Sequence, residues 1–223
     1  MLQSVLETLA VTPPGRSLEV GCGDGSLLDL LPGALRVGVD QNLDDLRDAS
    51  VTGGLGVAAL CEALPFCSGG FSLIGAFDVL EHLKDEGTLL RQCRSLLAER
   101  GWLVATVPAG PELWSHLDEF AGHYRRYDRR TLCETVRRQG FEVLRILPLF
   151  RILWPLAWVS ARWNRGRQVR SEEDSYKVRP SLNSLLRVLV RLEWRLLGRV
   201  RLGRGTSWLL VARAAAPSAG QAA

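Results

Sequence analysis

The sequence predicts an α/β fold: a seven-stranded sheet covered by helices, with a helical insertion between strands six and seven. Three observations predict it. Short apolar runs alternate with amphipathic segments over the first two-thirds of the chain, the pattern of a parallel sheet wrapped by helices. A glycine-rich turn follows the first apolar run directly. Nearly sixty residues separate the last two strands, which are expected to run antiparallel to each other.

Strands are expected at 17–21 (SLEVG), 35–40 (LRVGVD), 56–60 (GVAAL), 72–77 (SLIGAF) and 101–107 (GWLVATV). Helices are expected near 2–10, 25–31, 43–49, 86–98 and 129–139. The segment 86–98 sets Leu89, Leu90, Cys93, Leu96 and Leu97 on one helical face. Gly140 ends the last of these helices and hands over to strand six, 141–147 (FEVLRIL). Strand seven, 206–213 (TSWLLVAR), closes the pattern before a loose Ala/Ser/Gly tail. The divisions are a core at 1–147, a basic Trp-rich insertion at 148–205, a closing strand at 206–214 and the tail at 215–223. Within the insertion lie a Trp-rich segment (149–165), an acidic stretch with a proline (171–180) and a helix at 182–200.

With 223 residues, 47% hydrophobic and 23% charged, the chain can bury a real core, which excludes global disorder. The net charge of +4 hides a split. Residues 1–144 hold 13 Lys and Arg against 20 Asp and Glu, whereas residues 145–223 hold 15 against 4. Five of the seven tryptophans share that basic part. The five cysteines form no C-x-x-C pair, which argues against a disulfide scaffold or zinc ribbon and for a reducing compartment. No metal ligand set is expected. The N-terminus does not read as a signal peptide, and no run of apolar residues is long enough to span a membrane. The expected location is the cytoplasm, with room for peripheral membrane contact.

Strand one runs into Glu19-Val20-Gly21-Cys22-Gly23-Asp24-Gly25, where glycines let backbone pass close to a ligand. Strand two ends in Asp40, nineteen residues after Gly21, placed to accept from both hydroxyls of a ribose. A dinucleotide fold wants G-x-G-x-x-G; here the spacing is G-x-G-x-G, and Glu19 stands two residues before the first glycine. A carboxylate beside the loop suits a cationic ligand better than a pyrophosphate. S-adenosylmethionine carries an ammonium and a sulfonium.

The stretches LEVGCGDGSLL (18–28), GVDQN (38–42), EALPFCSGGFSLIGAFDVLEHL (62–83) and LLAERGWLVATVPA (96–109) resemble the class I SAM-dependent methyltransferases, of the type 11 and type 12 groups. The resemblance covers roughly residues 15–147 in the family's order and implies a Rossmann-like sandwich. A narrower set is resembled by the D-x-x-x-G-H-x-R-R-Y loop at Asp118–Tyr127 and by Gly205-Thr206-Ser207 before the closing strand. The likeness implies that Glu19, Gly21, Cys22, Gly23 and Gly25 hold the methionine end of the cofactor. Asp40 would bind ribose, and Gln41 would lie beside the adenine. The family's acid after strand three is Leu60 here, leaving Cys61 and Glu62 nearby for adenine. Phe77 and Asp78 would line the cofactor at the end of strand four.

Histidine is the natural base near neutral pH. His82 follows strand four and His123 lies on the loop after strand five, at the sheet end where α/β folds bind ligands. These two are the catalytic candidates, set against helix-anchoring and loop-ordering roles; His116 reads as a surface residue. Trp114, Asp118, Tyr124, Arg126 and Tyr127 are the substrate-side candidates, since a guanidinium fork matches carboxylate or phosphate. In the helix 182–200, Leu182, Leu185, Leu189, Leu192 and Leu196 share one face, while Arg187, Arg191, Arg195 and Arg199 line another. Trp154, Trp158 and Trp163 with Arg162, Arg165, Arg167 and Arg170 fit an anionic membrane surface or a hydrophobic substrate, or else core packing. Nucleic acid is disfavoured as a partner, and the oligomeric state is left open. The expected function is methyl transfer from SAM to a small, hydrophobic or anionic acceptor at oxygen or carbon. Two alternatives stay open: a nucleic-acid or protein methyltransferase docking through the insertion, and a non-catalytic SAM- or nucleoside-binding module.

Overall fold

A computed structural model describes residues 15–49, 54–163, 188–193, 195–196 and 203–215. Its seven strands are β1 (Arg16–Val20), β2 (Leu35–Asp40), β3 (Leu55–Ala58), β4 (Phe71–Phe77), β5 (Leu97–Pro108), β6 (Phe141–Leu149) and β7 (Ser207–Ala214). The helices are α1 (Leu43–Ala49), α2 (Glu86–Leu96), α3 (His116–Phe120), α4 (Arg129–Arg138) and α5 (Trp154–Trp163), and residues 188–193 and 195–196 are also helical. The strands form one sheet in the order β3-β2-β1-β4-β5-β7-β6, a seven-stranded Rossmann-like arrangement. The first five strands are parallel, and β7 enters antiparallel between β5 and β6. The order reverses between β1 and β4, so a crevice opens at the carboxyl ends of those two strands.

Period-two alternation divides the core into two layers. On one face Ile74, Ala76, Leu103, Ala105, Val107 and Leu210 pack with Leu89, Leu90, Cys93 and Leu96 of α2 and Leu132 and Val136 of α4. On the other face Leu73, Phe77, Trp102, Val104, Leu209 and Val211 meet Leu28, Leu31 and Leu149. Each buried Leu, Ile, Val or Phe side chain among these contributes about 1.5–3 kcal/mol of transfer free energy. Asp85 and Asp128 accept backbone N–H groups at the starts of α2 and α4, which fixes where both helices begin.

The expected helix at 25–31 is absent. The chain turns through Gly21, Gly23 and Gly25, all at positive φ, and makes only a 3-10 turn at Leu28–Leu30. Leu31 is already extended (ψ 133°), as a residue before proline prefers, so too few residues remain for an α-helix. The helix at 86–98 stops at Leu96, and Leu97 begins β5. The expected helix 2–10, the acidic stretch 171–180, much of the helix 182–200 and all of the tail except Ala215 lie outside the described residues.

The closing strand is set by a close backbone approach. A Cβ at Gly205 would overlap the Leu149 carbonyl oxygen, and the following residue, Thr206, donates its N–H to that oxygen at 3.0 Å. Beyond β6, Phe150 takes a left-handed conformation and turns the chain into α5. Glu193 accepts the N–H groups of Arg151 and Ile152 at 2.8 and 2.9 Å, so the one acid among the arginines of that helix caps the start of the neighbouring helical stretch. Among the described residues no helix is long and apolar enough to cross a membrane.

Candidate active site

The glycine corner forms at the end of β1. Gly21 donates to the Val39 carbonyl at 2.8 Å, and a Cβ there would lie 2.6 Å from Val79 Cγ2. Gly23 donates to Asp40 Oδ2 at 2.9 Å, while Asp40 Oδ1 accepts from the Asn42 N–H at 2.9 Å. Asp40 therefore ties the loop to the end of β2, and each oxygen keeps a lone pair for a ligand hydroxyl.

Glu19 is 2% exposed, and its Oε2 has no hydrogen-bond partner. Burial, helped by the charge of Asp24, pushes its carboxyl up from 4.5 to about 8. The native state thus binds this proton more tightly than the unfolded chain. The stability it contributes is full below pH 4.5 and is lost as pH rises through about 8. A cation beside Glu19 would reverse that penalty.

Cys22 is buried and its thiol is pushed up to about 12 by burial and then by Glu19 and Asp40, which leaves it unreactive. Gly25 is buried in the same turn, whereas Gln41 and Glu62 are exposed. Half-buried Cys61 packs on the core, with its thiol raised to about 11 by burial. Leu60 is exposed on the loop after β3.

Asp78 ends β4 at φ 54°, with its N–H on the Thr106 carbonyl. The cleft walls desolvate its carboxyl and raise its pKa, against the pull of a Thr106 hydrogen bond and of His123 and His82. Two cavities meet at Asp78 and Ser207. The smaller, 210 Å³, is lined by Phe77, Thr106, Leu149 and Phe150 among others. The larger, 470 Å³, is bounded by Glu81, Leu113, Asp118, His123 and Arg126, and by Ala157, Ser160 and Ala161 of α5. Asp78 and Phe150, two of the three non-glycine residues at positive φ among the described residues, both border this region.

The loop after β5 is organised by one buried acid. Ser115 and Asp118 form a capping box at α3. Asp118 also pairs with Arg126 Nε at 2.7 Å and His123 Nδ1 at 2.9 Å, and Arg126 donates onward to the Ala109 carbonyl. Arg125 reaches Glu86 and the carbonyls of Leu83 and Lys84, fastening the loop to α2. His123 meets His82 edge-to-face with ring centroids 4.7 Å apart. Partial desolvation of its ring, and then the neighbouring His123, lower the pKa of His82, a residue otherwise exposed.

Several expectations need correction. Tyr127 was expected to face a substrate, yet it lines neither cavity: it is 1% exposed, donates its N–H to Pro108 and accepts Trp208 Nε1 at 2.9 Å. A one-residue bridge between Ala109 and Tyr127 pulls it into the core. Trp114 lines neither cavity and reaches only toward Glu119. Tyr124 is half exposed beneath Lys84, outside both cavities.

Glu81 was not among the sequence candidates, yet it is fully buried, with neither carboxyl oxygen hydrogen-bonded. Burial pushes its carboxyl up to about 8. An acid set among Val79, Leu80 and Leu83 in the short link from β4 to α2 was the available signal. Ala157, Ser160 and Ala161 were also missed; their small size at i, i+3 and i+4 marks a helix face meant for close approach.

A family model described as a methyltransferase domain matches residues 2–146. A protein of Mycolicibacterium smegmatis, named a probable S-adenosylmethionine-dependent methyltransferase, is 28% identical over 156 residues, covering 66% of this chain and 60% of the relative. A ubiquinone biosynthesis O-methyltransferase of Parvibaculum lavamentivorans is 34% identical over 101 residues, 41% of this chain and 40% of that protein. The chain thus spans less than two-thirds of the length of these relatives. A solved SAM-dependent methyltransferase from Archaeoglobus fulgidus superposes with a TM-score of 0.59 at 18% identity, covering 95% of this chain and 92% of that one, a likeness of fold alone.

Because Asp118 holds three groups while wholly buried, Asp118→Ala leaves the Arg126 charge unpaired. The substitution should cost about 3 kcal/mol in urea denaturation. An unchanged midpoint would show that the loop is ordered by other contacts.

Proposed function

The chain belongs to the class I S-adenosylmethionine-dependent methyltransferases, and on that footing we propose that it methylates an oxygen or carbon atom of a small, hydrophobic or anionic acceptor held in the 470 Å³ cleft. The observation that carries this reading is the buried Glu19 carboxylate at the glycine corner, which calls for a cation. The residues fit the cofactor: an acid for its ammonium, a backbone cradle at Gly21, Cys22, Gly23 and Gly25, and Asp40 for the ribose. Gln41, Cys61 and Glu62 border the adenine, and Phe77 and Asp78 form the wall between cofactor and acceptor. When bound, S-adenosylmethionine supplies a methyl group on a sulfonium and departs as S-adenosylhomocysteine.

The rest of the work belongs to positioning. Leu113, Ala157 and Ala161 give the acceptor cleft apolar walls, while Arg126 and His123 give it a polar end that suits an anionic or hydroxylated group. Oxygen is the favoured acceptor atom, a reading supported by the relative named as an O-methyltransferase. His82 and His123 activate that oxygen, and Asp118 orients His123. A transfer assay with methyl-labelled SAM against a metabolite extract should label a small molecule. His123→Ala should lower the rate by about 10²-fold or more while SAM still binds. Label on protein or nucleic acid alone, or an unaffected His123→Ala, would contradict the assignment.

We also read the insertion as a surface for anionic lipid. Leu156, Val159 and Trp163 along one side of α5, and Ile152 in the turn before it, are 45–72% exposed, with Arg162 beside them. Val188, Leu192 and Leu196 are exposed in the same way near Arg191 and Arg195. An apolar stripe edged by arginine suits a headgroup layer. The inner side of α5 faces the acceptor cleft, which would let a hydrophobic acceptor pass from lipid to site. The protein should sediment with anionic vesicles at low salt, release at high salt, and lose binding in Leu156→Asp/Trp163→Asp. Equal behaviour toward neutral and anionic vesicles would contradict this.

A further inference from the structure

We infer that Glu81, His82 and His123 form a binding site for a divalent transition-metal cation. One potential ligand atom from each of the three residues lies within 4.8 Å of the other two. Such proximity alone is common, but Glu81 adds an independent observation. Its side chain is fully buried, borders the acceptor cleft, and has no hydrogen bond to either oxygen. A carboxylate removed from water and given no donor is costly, and a cation in the cleft relieves that cost.

The histidines are arranged for ligation. Asp118 Oδ1 engages His123 Nδ1 at 2.9 Å, so the other ring nitrogen is the one left for the cluster, the carboxylate–histidine pairing that steadies metal-binding imidazoles. The rings of His82 and His123 stand at 78° to one another, which lets one nitrogen of each converge on a point instead of stacking face to face. The local charge is favourable as well: Asp78, Glu81 and Asp118 border the cleft against the single guanidinium of Arg126. Two imidazoles and one carboxylate select first-row transition metals over magnesium or calcium, and three protein ligands leave positions open for substrate.

This inference rests on the methyltransferase reading and supplies the means by which His82 and His123 activate the acceptor. An acceptor hydroxyl on the cation loses its proton to solvent. Its oxygen then forms the new C–O bond as the methyl C–S bond breaks, and the sulfur leaves as a neutral thioether. The overall change releases one proton and needs no oxidant or reductant.

The test uses the full chain freed of metal with a chelator, then titrated with Co²⁺ by visible absorption and with Zn²⁺ by calorimetry. One Co²⁺ per chain should bind without a sulfur-to-cobalt charge-transfer band, which separates this site from the five cysteines. His82→Ala, at an exposed position, should weaken binding by about 100-fold or more, and Asp118→Asn by about 10–100-fold. Glu81→Gln should abolish binding; if that variant fails to fold, His82→Ala still decides. No Co²⁺ binding, or binding unchanged in His82→Ala, overturns the inference. SAM binding is measured on the same samples. SAM bound without cobalt binding defeats the metal site alone, whereas no SAM binding defeats the methyltransferase reading beneath it.

Discussion

At the switch point of the sheet a carboxylate is held out of water with one oxygen unpaired, and much of the architecture follows from that. Glu19 is carried there by β1, whose residues from Ser17 to Val20 are all buried, and Gly21 must then turn the chain away without a side chain because Val79 occupies the space. The turn brings Gly23 onto Asp40, which fixes β2 relative to β1 at the open end of the sheet. Polarity inside a core is normally removed by evolution or matched by a partner. The proposed match is the cofactor's ammonium, and the protein without it carries an acid that prefers its proton up to about pH 8.

A second buried acid organises the acceptor side. Asp118 gathers an arginine, a histidine and a helix cap, so the loop after β5 presents His123 and Arg126 to the cleft as one unit. The cofactor corner and the acceptor cleft are therefore built differently. The first depends on glycines and strand ends, the second on side chains holding side chains. Between them stand Asp78 and Phe150, both in left-handed backbone that only a well-determined surrounding structure maintains.

The strands were legible because each is an apolar run bounded by glycine or polar turns, and all seven appear within a few residues of their expected limits. The helix after β1 was misread because apolar spacing at Leu27, Leu28, Leu30 and Leu31 imitates a helical face, while the three glycines and Pro32 leave no room for one. Tyr127 was misplaced for a different reason. Its neighbours are Arg126 and Asp128, and the tertiary pairing with Ala109, eighteen residues away, helps carry it inward. Glu81 shows the limit of reading residues by type. An acid beside a histidine is ordinary in sequence, and its meaning comes from burial without a partner, which local pattern does not reveal. The charge split was legible, and the structure sharpens it. The acidic part carries the glycine corner with Glu19 and Asp40, while α5 of the basic part turns small residues to the cleft and large apolar ones to solvent.

The central claim is that Glu19 waits for the ammonium of S-adenosylmethionine, and proton linkage tests it most directly. Calorimetric titration of SAM at pH 6.5 in buffers of differing ionisation enthalpy gives the number of protons exchanged, for wild type and for Glu19→Gln. With the Glu19 pKa near 8 in the free protein, ionisation on binding should make wild type release close to one proton more than the variant, and its affinity should rise from pH 6 to pH 8 relative to Glu19→Gln. Identical proton counts and parallel pH profiles would contradict the account, because the buried carboxylate would then not be what the cofactor meets.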